Sequence, residues 1–154
     1  NLLKSHKWSY VSDQVMGGKS TGRAELDITQ KSTLMRLTGN VSTENNGGFI
    51  QVRTDYSAVT SQKISGLQIT VKGNLEKYFV HIRTTGTLRP WHYYFQPFKT
   101  NSDWEVIRMP FNKFERSASI LELNLNPTNL RSIGIVAFGK DHTADIYVKD
   151  LRFY

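Results

Sequence analysis

Hydrophobic and polar residues alternate in short runs along most of the chain. In residues 67–72, for example, Leu67, Ile69 and Val71 are separated by polar side chains. Successive side chains of a β-strand point to opposite faces, so this alternation predicts strands with one buried face. About ten such runs, separated by turn residues, predict an all-β sandwich or barrel. The runs are WSYV, GRAELDI, TLMRLTGNV, FIQVRT, LQITVK, YFVHIRT, WHYYFQPF, WEVIRM, SIGIVAF and ADIYVKDLRFY.

Helical periodicity is weak throughout the chain. The segment PFNKFERSASILEL (residues 110–123) predicts one turn of helix and no more. We find no internal repeat, low-complexity segment or Pro/Gly/Ser-rich linker. Residues 1–154 are therefore expected to form a single β-sandwich domain.

The stretch NVSTENNGGFIQVRT (residues 40–54) lies between two of the runs and contains Asn46-Gly47. Both residue types tolerate positive φ, so the pair is typical of a β-hairpin turn. We expect this turn to join TGNVSTE (residues 38–44) to GFIQVRT (residues 48–54) as a hairpin. The alternative is that the stretch forms part of a binding site.

The same alternation predicts a hydrogen-bonding face if residues 49–54, 67–72, 78–84 and 91–98 lie in one sheet. Aliphatic side chains point to the core, and Arg, His, Gln and Tyr point outward. In residues 91–98, Trp91, Tyr93 and Phe95 alternate with His92, Tyr94 and Gln96. Arginine, glutamine and tyrosine suit a polyhydroxylated ligand, an anionic ligand or a protein surface. The candidate binding residues are Gln51, Arg53, His81, Arg83, Trp91, Tyr94 and Gln96.

The alternative for this face is an ordinary solvated surface whose arginines pair with acidic residues. The chain has 154 residues, and 38% of them are hydrophobic, which is enough for a globular core. The net charge is +7 and the pI about 9.7. The basic residues are spread along the chain and form no run, so we expect no nucleic-acid partner.

Several function classes are excluded or disfavoured by what the sequence lacks. There is no cysteine, which excludes disulfides, thiolate catalysis and cysteine-ligated metals. No apolar stretch reaches the roughly 18 residues of a membrane span, and the first residues show no signal-peptide core. GGKS (residues 17–20) resembles the end of a phosphate-binding loop, but that loop is followed by a helix, whereas GGKS precedes a strand-like run. There is also no nucleophile-elbow motif. We therefore expect no catalytic residues and hence no enzyme.

The histidines show no metal-ligand spacing, so we predict no metal site and no cofactor. A structural calcium is the one alternative, since jelly-roll binding modules often hold one. Aspartate oxygens suit that ion. The candidate ligands are Asp13, Asp141, Asp145 and Asp150.

Two stretches rich in glycine resemble a known family. VSDQVMGGKS (residues 11–20), followed by GNVSTENNGGFIQVRT (residues 39–54), resembles the signature pair of the complex I intermediate-associated protein 30 family. GLQITVKGNLEKYFVHIRT, YYFQPF, WEVIRMPFNKFE and LRSIGIVAFGKDHTADIYVKDLRFY follow in the family's order, so the resemblance covers nearly the whole chain. The residues that match the two motifs are Asp13, Met16, Gly17, Gly18, Ser20, Glu44, Asn45, Asn46, Gly47, Gly48, Phe49 and Arg53.

The resemblance implies a galactose-binding-like jelly-roll β-sandwich. Mitochondrial relatives assist assembly of respiratory complex I. The VMGGKS form is more similar to bacterial members, which implies a cytoplasmic or periplasmic protein. The family also implies a non-catalytic, assembly-factor-like domain that holds a protein partner with its polar sheet face and Gly-rich loops. The alternative is a carbohydrate-binding module of jelly-roll type, whose fold is similar.

The two motifs themselves have two interpretations. Paired glycines together with Asp and Ser are typical of tightly constructed loops. Alternatively, the two loops meet at one rim of the sandwich and bind a partner there. The chain departs from the family at KGNLEKY, where Asn74 and Leu75 stand in place of an expected Gly-Asp-Gly stretch.

Overall fold

The computed structural model describes residues 1–56 and 63–154. Nearly all regular structure in these residues is β-strand, as the alternating pattern predicts. The one α-helix among the described residues, α1, is Leu2–Ser5. The strands are β1 Ser9–Ser12, β2 Thr21–Ile28, β3 Thr33–Val41, β4 Phe49–Asp55, β5 Gly66–Gly73, β6 Lys77–Thr84, β7 Tyr94–Lys99, β8 Glu105–Pro110, β9 Glu115–Arg116, β10 Leu130–Phe138 and β11 His142–Phe153.

Two antiparallel sheets pack face to face. The six-stranded sheet has the order β1-β4-β10-β6-β7-β9, and the five-stranded sheet has the order β2-β3-β11-β5-β8. The predicted all-β jelly-roll sandwich is therefore confirmed. No helix within residues 1–56 and 63–154 is long and apolar enough to cross a membrane.

The core lies between the two sheets and is built by the aliphatic positions of the alternating runs. Ile50 and Val52 of β4 and Val80 and Ile82 of β6 are buried, while their sequence neighbours are less so or face outward. Burying one such side chain stabilises the fold by about 1.5–3 kcal/mol. The five-stranded sheet supplies the opposite wall with Met35, Leu37, Leu67, Ile69, Val71, Ile146 and Val148.

The expected hairpin at Asn46-Gly47 is wrong. Asn45 and Asn46 do adopt positive φ, at 56° and 58°, as the turn chemistry predicts. However, β3 pairs with β2 and β11, whereas β4 pairs with β1 and β10 in the other sheet. Residues 42–48 therefore cross from one sheet to the other. β3 and β4 bury their aliphatic faces in the same core from opposite sides. Two neighbouring strands of one sheet would cover the core from the same side.

The outward side chains of β5 also differ from expectation. β5 lies between β11 and β8 in the five-stranded sheet. Gln68, Thr70 and Lys72 therefore lie on the opposite side of the sandwich from Arg53 and Arg83. Alternation indicates which residues of a strand share a face, but it contains no information about which sheet the strand joins.

Short 3₁₀ turns complete the described structure. Phe111–Lys113 forms one, which confirms the single helical turn predicted between residues 110 and 123. The others, at Asp13–Met16, Glu44–Asn46 and Pro127–Asn129, lie in the connections between strands.

The β5–β6 turn contains the departure from the family pattern. Asn74 ties the turn down, because its Nδ2 donates to the Thr143 carbonyl (2.8 Å) and its Oδ1 accepts from the Tyr78 hydroxyl (2.6 Å). Burial raises the pKa of Tyr78 to about 12, so this hydroxyl stays a donor. Leu75 adopts a left-handed φ of 69° and its side chain is 61% exposed.

Replacing Leu75 with glycine is expected to stabilise the protein slightly. A left-handed residue with a β-carbon costs about 1–2 kcal/mol, and glycine's extra backbone entropy offsets about 0.5–1 kcal/mol of that gain. We expect Leu75→Gly to raise the free energy of unfolding by up to about 1 kcal/mol in urea denaturation. Leu123→Gly is the control, because Leu123 is equally exposed without positive φ and should lose stability. Equal losses in both variants would contradict the account.

Candidate ligand-binding site

The strand register brings the candidate residues of β4 and β6 together around β10. Gly134 lies opposite Arg53 on one side and His81 on the other, and Ser132 lies opposite Arg83. Residues opposite one another in a sheet point to the same face. Arg53, His81 and Arg83 therefore share the outer face of the six-stranded sheet, as predicted.

β10 forms a low floor between its neighbours on this face. A β-carbon built on Gly134 would lie 2.9 Å from Oε1 of Gln51 and 3.4 Å from Cβ of Arg53. Glycine therefore leaves room for the side chains of β4. Gln51 itself is buried against this floor, so it supports the face more than it offers hydrogen bonds to a ligand.

A cavity of about 360 Å³ opens at one end of this face, beside the β6–β7 loop. Four guanidinium groups line it, from Arg53, Arg83, Arg89 and Arg131, and Asp55 is the one carboxylate among the described lining residues. The planar guanidinium matches carboxylate and phosphate oxygens in two-point hydrogen bonding. We call this feature the arginine cavity. Its other lining residues are Thr87, Leu88, Pro90 and Ser132.

Arg83 holds the β6–β7 loop in place. Its guanidinium donates to the carbonyls of Pro90 (2.6 Å), His92 (3.1 Å) and Arg89 (3.3 Å). Burial lowers the pKa of Arg83, and the positive charges of Arg53 and Arg131 lower it further. Arg83 therefore contributes positive charge to the cavity while its hydrogen bonds are used by the protein.

Arg53 is in a different situation. Its side chain is half-buried, and among the described residues it has no ion-pair or hydrogen-bond partner. Its guanidinium therefore retains its donors for a ligand. Asp55, two residues further along β4, points to the same outer face and places acceptor oxygens in the same cavity.

Sequence reasoning missed Arg89, Arg131 and Asp55. Strict alternation would place Arg131 on the core side with Ile133, but the register shifts between Leu130 and Ser132. Such bulges re-aim side chains, and this one brings Arg131 to the cavity. Arg89 lies in a loop, where no periodic signal exists. Asp55 follows the same alternation as Arg53, so the pattern of alternating residues could have predicted it.

Beside the cavity, the outer face carries a half-buried aromatic cluster. The His81 ring stacks on the Tyr93 ring with centroids 4.1 Å apart and an interplanar angle of 12°. Phe79, Phe95 and Phe138 surround this pair in edge contacts. Burial, aided by the charge of Arg83, lowers the pKa of His81 to about 3, so the ring is neutral at physiological pH.

Two of the candidate residues point the other way. Tyr94 and Gln96 lie opposite Ile82 and Val80, which face the core. The Tyr94 hydroxyl donates to the Glu122 carbonyl (2.7 Å), and the Gln96 Oε1 is buried with no partner among the described residues. Placing Tyr94 and Gln96 outward was wrong because the aromatic residues of 91–98 occupy both faces, so alternation does not show which of the two sets points to the core. The outward residues are Tyr93 and Phe95.

Trp91 lies in the β6–β7 loop and is 61% exposed, and Leu88 of the same loop is 80% exposed. His92, between them and the strand, is buried. The loop is held by Arg83 and by Ser117, whose hydroxyl donates to the Trp91 carbonyl (2.8 Å). Leu88 therefore gives the cavity an exposed apolar lining residue on a loop that is tied to the sheet, and Trp91 follows the lining residue Pro90 in the same loop.

The two family motifs meet at the buried carboxylate of Asp13. It accepts from the Ser20 hydroxyl (2.5 Å) and amide (3.0 Å), and from the amide of Gly48 (2.6 Å). Burial alone would raise the pKa of Asp13, but these hydrogen bonds together with one from Phe49 outweigh it and lower the pKa. The carboxylate is therefore ionised and joins both loops.

Two motif glycines are required by this contact. A β-carbon on Gly18 would lie 2.7 Å from Cβ of Asp13, and one on Gly47 would lie 2.8 Å from its Cγ. Gly17 instead adopts a φ of 85°, which favours glycine. The first motif thus has the loop-construction role that its glycines indicate. Around it, Met16, Glu44 and Asn46 are exposed, and Asn45 donates to the Gly17 carbonyl (3.2 Å).

The motif loops and the arginine cavity lie at opposite ends of β4. Asp13 bonds the amides at the start of the strand, whereas Arg53 and Asp55 lie at its end. At about 3.3 Å per residue the separation is roughly 20 Å. The loops do meet at one rim of the sandwich, but that rim is far from the cavity.

The four aspartates considered as calcium ligands are engaged separately. Asp141 accepts from Thr43, Asp145 pairs with Arg36, and Asp150 pairs with Arg152. In the part of the chain that the structure describes, no three His, Asp or Glu side chains converge in a group that could hold a metal ion.

Comparison with solved structures places this fold among jelly-roll binding modules. The family 11 carbohydrate-binding module of cellulosomal cellulase Lic26A-Cel5E of Clostridium thermocellum superposes with a TM-score of 0.74 at 13% identity, covering 95% of this chain and 86% of that one. The same family's module in complex with a β-1,3-1,4-mixed-linked tetrasaccharide gives 0.73 at 13%, covering 95% and 87%. A family 30 carbohydrate-binding module gives 0.58 at 12%, covering 89% and 92%. At these identities the similarity shows the fold alone.

The family is shown by sequence. The model of the complex I intermediate-associated protein 30 family matches residues 2–146. The chain belongs to this family. No curated protein sequence matches the chain.

Substituting Gly47 with alanine is expected to destabilise the protein. Gly47 has an ordinary φ of −82°, so any loss reports the overlap with Asp13 and not backbone strain. We expect Gly47→Ala to lower the free energy of unfolding by about 2 kcal/mol or more, measured in urea, because the carboxylate must move from buried amides. In Gly86→Ala the new β-carbon meets only the Thr84 hydroxyl at 3.6 Å, so that variant should be near neutral. A neutral Gly47→Ala would contradict the proposed packing.

His81 makes stability depend on pH. Its pKa falls from 6.5 in the unfolded chain to about 3 in the folded protein. The unfolded chain therefore binds a proton first as pH falls, and stability is lost progressively between pH 6.5 and about 3. His81→Phe should remove this part of the slope. The measurement is the unfolding free energy of wild type and variant as a function of pH. The difference between the two free energies should be constant above neutrality. Below pH 6.5 the wild type should lose stability relative to the variant. Two parallel curves would show that His81 is accessible to protons in the folded state.

Proposed function

We propose that the chain is a non-catalytic binding domain that holds an acidic segment of a protein partner in the arginine cavity. One observation carries this proposal. The cavity of about 360 Å³ is lined by four arginines, and Asp55 is the one carboxylate among its described lining residues. That excess of positive charge is costly without an anion and favours a ligand that supplies one.

The arrangement also explains how an anion would be recognised. Arg83 is held by three carbonyls and supplies charge, while Arg53 retains its donors. A carboxylate beside both would form charge-assisted hydrogen bonds with Arg53. Each such bond contributes about 1.5–3 kcal/mol. It would also offset the repulsion among Arg53, Arg83 and Arg131.

A protein partner is favoured by the border of the cavity. Leu88 of the cavity lining and Trp91 of the same loop are largely exposed, and the loop is tied to the sheet. Tryptophan and arginine are enriched at the centres of protein interfaces. Membership in a family named for an assembly intermediate supports an assembly-factor-like role for such a contact.

A carbohydrate-binding role is the second candidate, and it has its own support. Arg53 and Asp55 present donors and acceptors side by side, and Trp91 offers an exposed ring for a sugar face. One structure with this fold is a module that holds a β-1,3-1,4-mixed-linked tetrasaccharide. Under this alternative the same cavity binds hydroxyl groups instead of an acidic side chain.

The test measures binding of a labelled oligoglutamate peptide by fluorescence anisotropy at low and moderate salt. We expect wild type to bind, and affinity to fall with salt because the attraction is electrostatic. Arg53→Ala should weaken binding by about tenfold or more, corresponding to one lost charge-assisted hydrogen bond. Arg108→Ala is the matched control, since it removes an exposed arginine from the other sheet and should leave binding unchanged.

Other results have defined meanings. Binding of the mixed-linked tetrasaccharide that is lost in Arg53→Ala, with none of the peptide, would replace the protein proposal with the carbohydrate one. Equal effects of Arg53→Ala and Arg108→Ala would overturn the assignment of the cavity. Arg83→Ala is unsuitable as a binding variant, because removing its three hydrogen bonds releases the β6–β7 loop.

A further inference from the structure

β2 is a free edge strand of the five-stranded sheet. It pairs with β3 on one side only. Of its residues, only Ala24 is even half-buried. Natural edge strands are usually short, bulged, covered, interrupted by proline or charged, because their unpaired backbone groups invite another strand. β2 spans eight residues and in the described structure shows only the last of these features, in Arg23, Glu25 and Asp27.

The backbone groups at the free edge can be identified from the β2–β3 turn. The Thr29 amide donates to the Ser32 carbonyl (2.8 Å), which makes these residues a hydrogen-bonded pair. Hydrogen-bonded and non-bonded pairs alternate along an antiparallel ladder. The amides and carbonyls of residues 22, 24, 26 and 28 therefore point away from β3. In the described structure no backbone group bonds them on that side.

The inner side of the same edge is apolar and exposed. Leu26 lies opposite the buried Met35 and so faces the core side of the sheet, as does Ile28 opposite Thr33. Leu26 is nevertheless 38% exposed and Ile28 48% exposed. A strand added at this edge would cover both side chains.

The charges on the outer side are complementary to a second copy of β2. Arg23 and Glu25 point outward and pair within the strand at 2.9 Å, with both side chains exposed. An antiparallel copy related by a two-fold axis at Ala24 places Arg23 opposite Glu25 of the partner subunit, twice by symmetry. It also places Leu26 opposite Gly22 of the partner subunit, where there is no side chain to obstruct it.

Competing registers are less favourable. Pairing must keep outer side chains with outer ones, so the two-fold axis passes through a residue of the strand. Registers centred on Arg23, Glu25 or Asp27 would place that charged residue opposite its own copy in the partner subunit. The register centred on Leu26 would place Glu25 opposite Asp27 of the partner subunit. Like charges directly opposite one another destabilise a strand pair. The sequence of β2 therefore selects the register centred on Ala24.

We propose that the protein forms a two-fold symmetric homodimer by antiparallel pairing of β2 with β2 of a second copy. The two five-stranded sheets then continue into one. About six backbone hydrogen bonds form, two in each bonded pair. The interface lies at the edge of the five-stranded sheet, whereas the arginine cavity lies on the outer face of the six-stranded sheet, so the dimer presents two cavities.

The test uses charge reversal at the two paired positions, with sedimentation velocity over a concentration series. Wild type should show a concentration-dependent dimer. Arg23→Glu and Glu25→Arg should each be monomeric, because each places like charges opposite one another. Mixing the two variants should restore a heterodimer, and the double variant R23E/E25R should restore a homodimer. Circular dichroism checks that each variant is folded, as expected for exposed residues.

A matched control is Arg108→Glu, which reverses an exposed charge on the opposite edge strand of the same sheet and should leave the dimer unchanged. A wild type that stays monomeric at every concentration would overturn the proposal. So would a dimer that both single variants retain, or two monomeric variants that fail to associate when mixed.

Discussion

The buried carboxylate of Asp13 is the interaction on which the arrangement of the two sheets depends. The chain crosses between the sheets from β1 to β2 and again from β3 to β4, and both crossings meet at this side chain. A buried charge is tolerated only when hydrogen bonds compensate it. Ser20, Gly48 and Phe49 provide that compensation, and Gly18 and Gly47 provide the space. The motif is therefore best understood as a joint between the sheets.

The proposed binding site lies at the far end of β4 from this joint. The strand is held at Phe49 and carries Arg53 and Asp55 at its end. A site whose side chains extend from a rigid element keeps its geometry better than one built on loops. Here the glycine and serine floor of β10 also keeps the face open between β4 and β6. The joint and the proposed site are thus at opposite ends of one strand.

Much of this organisation was predictable from alternation, and the failures have physical causes. Where only one face of a strand is aliphatic, as in β4 and β6, the pattern predicts the outward residues correctly. In residues 91–98 both faces carry aromatic rings, so the pattern misplaces Tyr94 and Gln96. Asn46-Gly47 indicates positive φ but not which strands the turn connects. Arg131 reaches the cavity through a bulge, which a strict period of two does not represent.

Arg83 combines two tasks in one side chain, and this has an evolutionary consequence. Three carbonyl oxygens from three different residues converge on its planar guanidinium. Lysine would conserve the charge but has a single ammonium that does not reproduce this fork. Related proteins that use lysine here should therefore show altered loop lengths or replacement loops between β6 and β7. In a set of homologues, the identity of the residue at position 83 should covary with the length and sequence of the β6–β7 loop beside the arginine cavity.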